Sequence, residues 1–214
     1  MSEEFGVVQR LKKENEIMIM QFRENLKQSG KDKNSSRILS GMKKYIGGTI
    51  VSKSFKDGSK FEGEVNVKGE REGEGIIFFP NKDVYMGGWK NDRFNGNGTY
   101  IFSTQERYTG DLVDGMRHGR GIFFYSNGNK YDGSWINNEK NGRGFLYFSN
   151  GDIYEGDWKD GLFSGNGSER FFHGDVFQGI YANGKRNGYG TYTFKCGSQY
   201  EGEWKDNKAD GHGK

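Results

Sequence analysis

The stretch Tyr154-Glu155-Gly156-Asp157-Trp158-Lys159-Asp160-Gly161, followed by Gly165-Asn166-Gly167, decides how this chain is read. Its opening aromatic-x-Gly unit recurs at Phe61, Tyr85, Tyr108, Tyr131, Tyr154, Phe177 and Tyr200, first after 24 residues and then every 23. From the second copy on, a Gly-x-Gly pair stands 11 residues after the aromatic, from Gly96/Gly98 through Gly142/Gly144 to Gly211/Gly213. The first copy carries one extra residue and has its pair at Gly73/Gly75. Six residues before each opening aromatic there is another ring: Phe55, Phe79, Phe102, Tyr125, Phe148, Phe171 and Phe194. Residues 49–55 therefore read as a leading half-repeat. Self-similarity at a fixed short period marks a repeat architecture, in which each copy touches only its neighbours.

Within each copy the residues alternate. Tyr85, Gly87 and Trp89, like Tyr131, Gly133 and Trp135, fall on one face of a first strand; Gly121, Phe123 and Tyr125 fall on one face of a second. Between copies lie Asp57-Gly58, Asn127-Gly128, Asn150-Gly151, His173-Gly174 and Cys196-Gly197, pairs that favour positive φ and predict tight hairpins. The connection inside each copy, such as residues 159–164, reads as longer and polar. A glycine between two rings on one face predicts a gap into which a ring of the neighbouring strand can lie. The fold class expected is all-β: an elongated single-layer antiparallel sheet of stacked 23-residue hairpins with an N-terminal α-helix. The domain division expected is a helix over 1–29, a basic tether over 30–48 and the repeat array over 49–214, its last copy incomplete.

Composition agrees with this class. The chain has 214 residues, 36 of them glycine and one proline, which fits neither collagen nor a proline-rich linker. Only 32% is hydrophobic and the mean hydropathy is -0.95, yet aromatics reach 15%, which disordered chains do not. Rings supply the burial that aliphatic residues usually supply. The net charge of +3 is uneven: residues 1–60 carry 13 Lys/Arg against 7 Asp/Glu, and the remainder 19 against 22. A basic surface is thus expected at the N-terminus alone. One cysteine, Cys196, excludes an intramolecular disulfide and a cysteine-built zinc site. The apolar run Ile17-Met18-Ile19-Met20 is too short for a signal sequence or a membrane span, so a cytoplasmic chain is expected.

Residues 3–28 read as helix, with Val8, Leu11, Ile19, Phe22 and Leu26 at helical spacing, ended by Ser29-Gly30. Two dockings stay open for that apolar stripe: on the protein's own sheet as an end cap, or away from it, into another protein or a short coiled coil. Residues 30–40 show no apolar period.

Tyr154-Glu155-Gly156-Asp157-Trp158-Lys159-Asp160-Gly161, and Tyr131-Asp132-Gly133-Ser134-Trp135 followed by Asn141-Gly142-Arg143-Gly144, resemble the MORN repeat. The resemblance covers residues 49–214. The chain departs from the family's pattern where Val65, Leu112 and Tyr181 replace its tryptophan, where Glu169 and Arg170 interrupt an apolar strand, and at the seventh copy. The resemblance implies a scaffold of cytoskeletal assemblies, such as ciliary axonemes, radial spoke heads and protist cortical structures. It also raises phospholipid headgroups as ligands, and lipid kinase or lysine methyltransferase domains as neighbours. The 48 residues outside the repeats are too few for either catalytic domain.

Chemistry is otherwise sparse. No Gly-x-Gly continues into a phosphate-binding loop, and each opens a strand. His118, His173 and His212 stand apart, Cys196 reads as a surface thiol, and Asp111, Asp157 and Glu203 read as a solvated face. No catalytic residue, metal site or cofactor is expected. A single-layer sheet leaves a face open, and the expectation is an exposed stripe of Tyr85, Trp89, Tyr100, Tyr108, Phe123, Tyr131, Trp135, Tyr154, Trp158, Tyr192, Tyr200 and Trp204 that binds protein partners. The array is not basic, which argues against nucleic acid and leaves anionic lipid to residues 31–44 as the alternative. Residues 200–214 lack a returning aromatic strand, so the C-terminal edge is expected to pair with a second copy or another protein, or to continue a longer array. Localisation in the cytoplasm or cytoskeleton, including the cilium, is the matching expectation.

Overall fold

A computed structural model describes residues 2–35 and 49–214, with side chains from 9 to 25 in the first stretch. It begins with α1 (Ser2–Ser35). Fifteen strands follow: β1 (Thr49–Ser54), β2 (Lys60–Val65), β3 (Arg71–Phe78), β4 (Val84–Lys90), β5 (Arg93–Ile101), β6 (Arg107–Val113), β7 (Met116–Phe124), β8 (Lys130–Ile136), β9 (Glu139–Tyr147), β10 (Ile153–Lys159), β11 (Leu162–Arg170), β12 (Val176–Ala182), β13 (Lys185–Thr193), β14 (Gln199–Lys205) and β15 (Lys208–Gly213). They form one open antiparallel sheet in sequence order. The chain divides into two compact units, Met1–Met116 and Arg117–Lys214.

The connections are the reverse of the expectation. Inside each copy from the second on, the strands join through two residues, such as Asp160 and Gly161, with φ of 50° and 81°, or Asn183 and Gly184, with 51° and 80°, whereas the first copy uses five, Asn66 to Glu70. Positive φ at both central residues is the type I′ turn, whose twist matches that of a hairpin. The connection between copies takes five residues, as from Phe148 to Asp152, where the Phe148 N–H donates to the Asp152 carbonyl at 2.9 Å. The polar run after Asp160-Gly161 is already strand. It is disguised by a bulge, because Gly156 pairs with Gly167 while Asp157 pairs with Ser164, leaving Gly165 and Asn166 over.

The bulge and the ring beside it are built together. Tyr154 lies over Gly156 of its own strand and Gly167 of the next; a Cβ on either would stand 2.5 Å and 2.7 Å from its Oη. The glycine gap is therefore filled by the copy's own tyrosine, not by a neighbour's ring. Its hydroxyl donates to the Asp157 carbonyl at the bulge (2.9 Å), Phe163 stacks on it at 3.7 Å, and Trp158 meets it edge-on at 5.4 Å. Trp158 in turn donates its Nε1–H to the Gly144 carbonyl of the preceding copy at 3.3 Å, and Tyr154 meets Tyr181 of the following copy edge-on at 5.1 Å. Edge-to-face contacts of this kind add about 0.5–1.5 kcal/mol per pair beyond burial. Tyr154→Phe is expected to cost about 1 kcal/mol in urea unfolding, the net value of one hydrogen bond. Phe61 and Phe177 hold the same place without a hydroxyl, and a loss above about 2 kcal/mol would give the bulge carbonyl a larger part than this.

Hydrogen bonds at both ends of the strands tie copy to copy. At one end Asn129, Asp152 and Asp175 each accept the N–H of a residue 20 positions on, namely Ser149 (2.9 Å), Phe172 (2.8 Å) and Lys195 (2.9 Å). At the other, the turn N–H groups of Gly161, Gly184 and Asn207 donate to the carbonyls of Lys140, Phe163 and Arg186. Tyr181, in place of tryptophan, keeps this regularity: it is buried and donates its hydroxyl to Glu169 at 3.3 Å.

In the unit Met1–Met116 the face opposite the rings is apolar, built from Ile76, Val84, Met86 and Ile101, and Met18, Ile19 and Phe22 of α1 pack on it beside Phe78. The helix thus lies across the face of the sheet and is not an end cap. Arg23 pairs with Glu62 at 2.7 Å. Leu11 is buried, while the side chains of Val8 and Leu26 lie outside the described residues. The helix runs six residues past Ser29, because a single glycine costs about 1 kcal/mol, which an established helix can absorb. Residues 36–48 of the expected tether lie outside the described residues, and with them Arg37, Lys43 and Lys44. No helix among the described residues is long and apolar enough to cross a membrane.

The last copy also differs from expectation. Lys208–Gly213 form a short return strand, with Ala209 opposite Trp204 and Gly213 opposite Gly202.

Candidate partner-binding face

Every opening aromatic points to one side of its strand, so each unit carries a ring face. The rings named as an exposed stripe are mostly its floor. Tyr85, Tyr108, Tyr131 and Tyr154 have no exposed surface, Trp89, Trp135, Trp158 and Trp204 and Phe123 are buried, and Tyr100, Tyr192 and Tyr200 are half-buried. Folding each tyrosine over its glycines lets successive rings cover one another, which a flat stripe would not. Burial pushes the hydroxyls of Tyr131 and Tyr154 well above the ordinary phenol range, so they remain donors to their bulge carbonyls.

Two outer rows surround that floor. One holds the rings six residues before each opening aromatic. In the unit Arg117–Lys214 these are Tyr125, Phe148 and Phe171, half-buried, and Phe194, which is exposed. Tyr125 tilts against Phe123 at 4.5 Å, and Tyr192 lies between Phe171 and Phe194 at 5.9 and 4.9 Å. The other row was missed in the sequence: positions 71, 94, 117, 140, 163 and 186 carry Arg, Phe, Arg, Lys, Phe and Arg. Each sits over the tryptophan layer. The Arg117 guanidinium is 4.5 Å above Trp135, the Lys140 ammonium 4.4 Å above Trp158, and the Arg186 guanidinium 5.4 Å above Trp204; Phe163 is 4.7 Å from Trp158. Reading this column at the 23-residue period is the signal that would have found it.

Tyr192 joins the outer row to the interrepeat ties. It donates to Asp175 at 2.7 Å; burial and that bond push its hydroxyl up to about 12. The same bond, with the Lys195 N–H, holds the Asp175 carboxyl below the usual range. The folded state therefore binds fewer protons there than the unfolded chain. The resulting stability is complete above the unfolded value of about 4 and is lost as pH falls through the lower folded value. Asp175→Asn keeps a side-chain acceptor, as Asn129 does naturally. Its melting temperature is expected to fall less steeply than the parent's below about pH 4.

A match to a known repeat family agrees with this geometry. A model of the MORN repeat matches residues 61–84, 85–107, 108–130, 131–153, 154–176, 177–199 and 200–214, each match beginning on an opening aromatic. The chain belongs to the MORN-repeat family. Its MORN array is seven copies long, after a leading strand, β1, that pairs with the first. No curated protein matches the chain. Among solved structures, the TCP domain of Drosophila melanogaster SAS-4 in complex with a proline-rich motif of Ana2 aligns at 19% identity and a TM-score of 0.42, covering 76% of this chain and 95% of that one. The TCP10 domain of Danio rerio CPAP in complex with a STIL peptide aligns at 12% identity and a TM-score of 0.27, covering 76% and 96%.

Elsewhere the MORN copies hold little that reacts. No group of three or more metal-ligating side chains occurs among the described residues. His173, read as isolated, reaches Asp175 at 3.1 Å. Cys196 is exposed, with its sulfur 3.3 Å from the Ser198 hydroxyl, which lowers its pKa. Asp157, read as solvated, accepts the bulge N–H of Asn166 at 3.1 Å.

Proposed function

We propose that this protein is a non-enzymatic scaffold that binds an extended segment of a partner protein along the ring face of its MORN array, in a cytoskeletal or ciliary assembly. The observation that carries the reading is the outer layer of that face in the unit Arg117–Lys214. There, half-exposed rings and cations recur at fixed spacing above a floor already saturated with its own contacts. Partially exposed aromatics and arginines dominate the energetics of protein interfaces. A periodic surface suits an extended segment, whose side chains are themselves periodic.

The test compares three forms of the full chain, each confirmed folded by circular dichroism, in affinity capture followed by mass spectrometry. Phe171→Ser/Tyr192→Ser/Phe194→Ser alters the outer row; Phe145→Ser/Tyr189→Ser alters exposed rings elsewhere. Partners retained by the parent and by the second variant, but lost with the first, are expected, with cytoskeletal or axonemal proteins among them. Loss with the second variant alone would move the binding site off the ring face. Retention by both would remove the rings from the function.

A further inference from the structure

The helix α1 is apolar on two sides, and its own sheet covers one of them. On the inner side Leu11 and Asn15 are buried, and Met18, Ile19 and Phe22 pack on the sheet. At about 3.6 residues per turn, the pole opposite that stripe is the ridge Lys13, Ile17, Met20 and Glu24. All four are exposed, Ile17 by 42% and Met20 by 61%. The ridge therefore presents two apolar side chains between a cation at its N-terminal end and a carboxylate at its C-terminal end.

The unit Arg117–Lys214 carries a patch of matching character on the side of its sheet away from the rings. In the unit Met1–Met116, Ile76, Phe78 and Val84 of that side lie under α1. Three 23-residue periods later the same places hold Phe145, Tyr147 and Ile153. Phe145 is 37% exposed and stacks with Tyr147 at 6.2 Å, and Ile153 stands opposite Tyr147 on the next strand. Asp132, opposite Phe145 on β8, bounds the patch at one end, and Arg170, opposite Ile153 on β11, bounds it at the other. Of the other charged groups here, the Lys130 ammonium lies 4.0 Å above the Tyr147 ring, and Glu155 stands between Phe145 and Ser168. The charge order acid, apolar, base is the complement of the ridge's base, apolar, acid. The lengths agree as well: Lys13 to Glu24 rises about 16 Å along a helix, and β8 to β11 spans about 14 Å across a sheet.

We infer that the outward ridge of α1 in one copy seats on this patch of a second copy, with Ile17 and Met20 against Phe145, Tyr147 and Ile153, Lys13 at Asp132 and Glu24 at Arg170. Both halves of the match lie in this one chain, which makes a second copy the occupant. The helix is then held between its own sheet and its neighbour's, and the neighbour's ring face stays free. Apolar burial supplies the affinity, while the exposed ion pairs contribute little to it and set the direction in which the helix crosses the strands.

Sedimentation of the full chain from micromolar to millimolar concentration tests this, each variant first confirmed folded by circular dichroism. The parent is expected to associate reversibly beyond its 24.4 kDa monomer. Met20→Glu and Phe145→Glu, on opposite sides of the contact, each weaken association about tenfold or more. Lys13→Glu and Asp132→Lys each weaken it about fivefold, and Lys13→Glu/Asp132→Lys in one chain restores it, because the exchanged charges meet again. A parent that stays monomeric overturns the proposal. So does association indifferent to Met20→Glu or to Phe145→Glu, which would lie elsewhere on the molecule. A double exchange that associates no better than either single one refutes the stated alignment, and with it this contact.

Discussion

Gly144→Ala is expected to lower the stability of its part of the array by about 3 kcal/mol or more, the range of severe overpacking. A Cβ at Gly144 would stand 2.5 Å from the Tyr131 Oη and 2.7 Å from its ring. Tyr131 cannot swing aside. It is fully buried, its hydroxyl donates to the Ser134 carbonyl at 2.9 Å, and tryptophan edges face it on both sides. Nor can the strands part, since Gly133 lies directly opposite Gly144. Gly142→Ala, two residues away, is the internal control: φ is 87° and the nearest atom to its Cβ is that of Ser134 at 3.3 Å, so the cost is left-handed strain of about 1–2 kcal/mol. Urea unfolding followed by tryptophan fluorescence gives the order, and hydrogen exchange of adjacent copies locates the loss in a chain that need not unfold as one unit. A loss below about 1 kcal/mol at Gly144 would show that the ring is not held as described.

Asn15→Leu should undock α1, at a cost of about 3 kcal/mol. Asn15 is buried on the sheet side of the helix, donating to the Gln105 carbonyl at 3.3 Å and accepting from Arg107 Nη1 at 2.9 Å. Arg107 is itself buried. Desolvation lowers its pKa and Glu14, 3.5 Å from Nη2, opposes that shift, so the guanidinium stays charged. Leucine would set an apolar group against that charge. Arg107→Met removes the charge and is expected to cost less, and Asn15→Leu/Arg107→Met should recover much of the loss, because an apolar pair of similar volume replaces a buried polar one. Hydrogen exchange over residues 9–25 together with thermal unfolding checks it. If the double variant loses the sum of the two single losses, the helix is not held through this pair.

The period, the strands and the ring columns were legible in the sequence because each copy repeats one steric solution and writes it at the same spacing. Tyr154, Gly156 and Gly167 can be found from alternation alone. Other features were hidden by local geometry. The bulge at Gly165-Asn166 makes a strand look like a loop, so the tight and the long turns were exchanged. The stripe reading took the ring face as open and the glycine gap as room for a neighbouring strand's ring, whereas each tyrosine lies over the glycine of its own strand and is buried by its neighbours. Asn15 escaped notice because an apolar stripe passes over polar positions, although it is among the most buried residues of the helix. The cation column alternates with phenylalanine at Phe94 and Phe163, and no composition count reveals that these positions share one layer.

That alternation also breaks a symmetry. Where the tryptophan is kept, ties between copies repeat at a constant offset, 14 residues from Trp89 to Gly75, from Trp135 to Gly121 and from Trp204 to Gly190, so one such hairpin looks like another. Such a ruler with identical marks can measure length but cannot indicate position. Within the unit Arg117–Lys214 the column reads Arg, Lys, Phe and Arg at positions 117, 140, 163 and 186, and that order makes each mark different from the next.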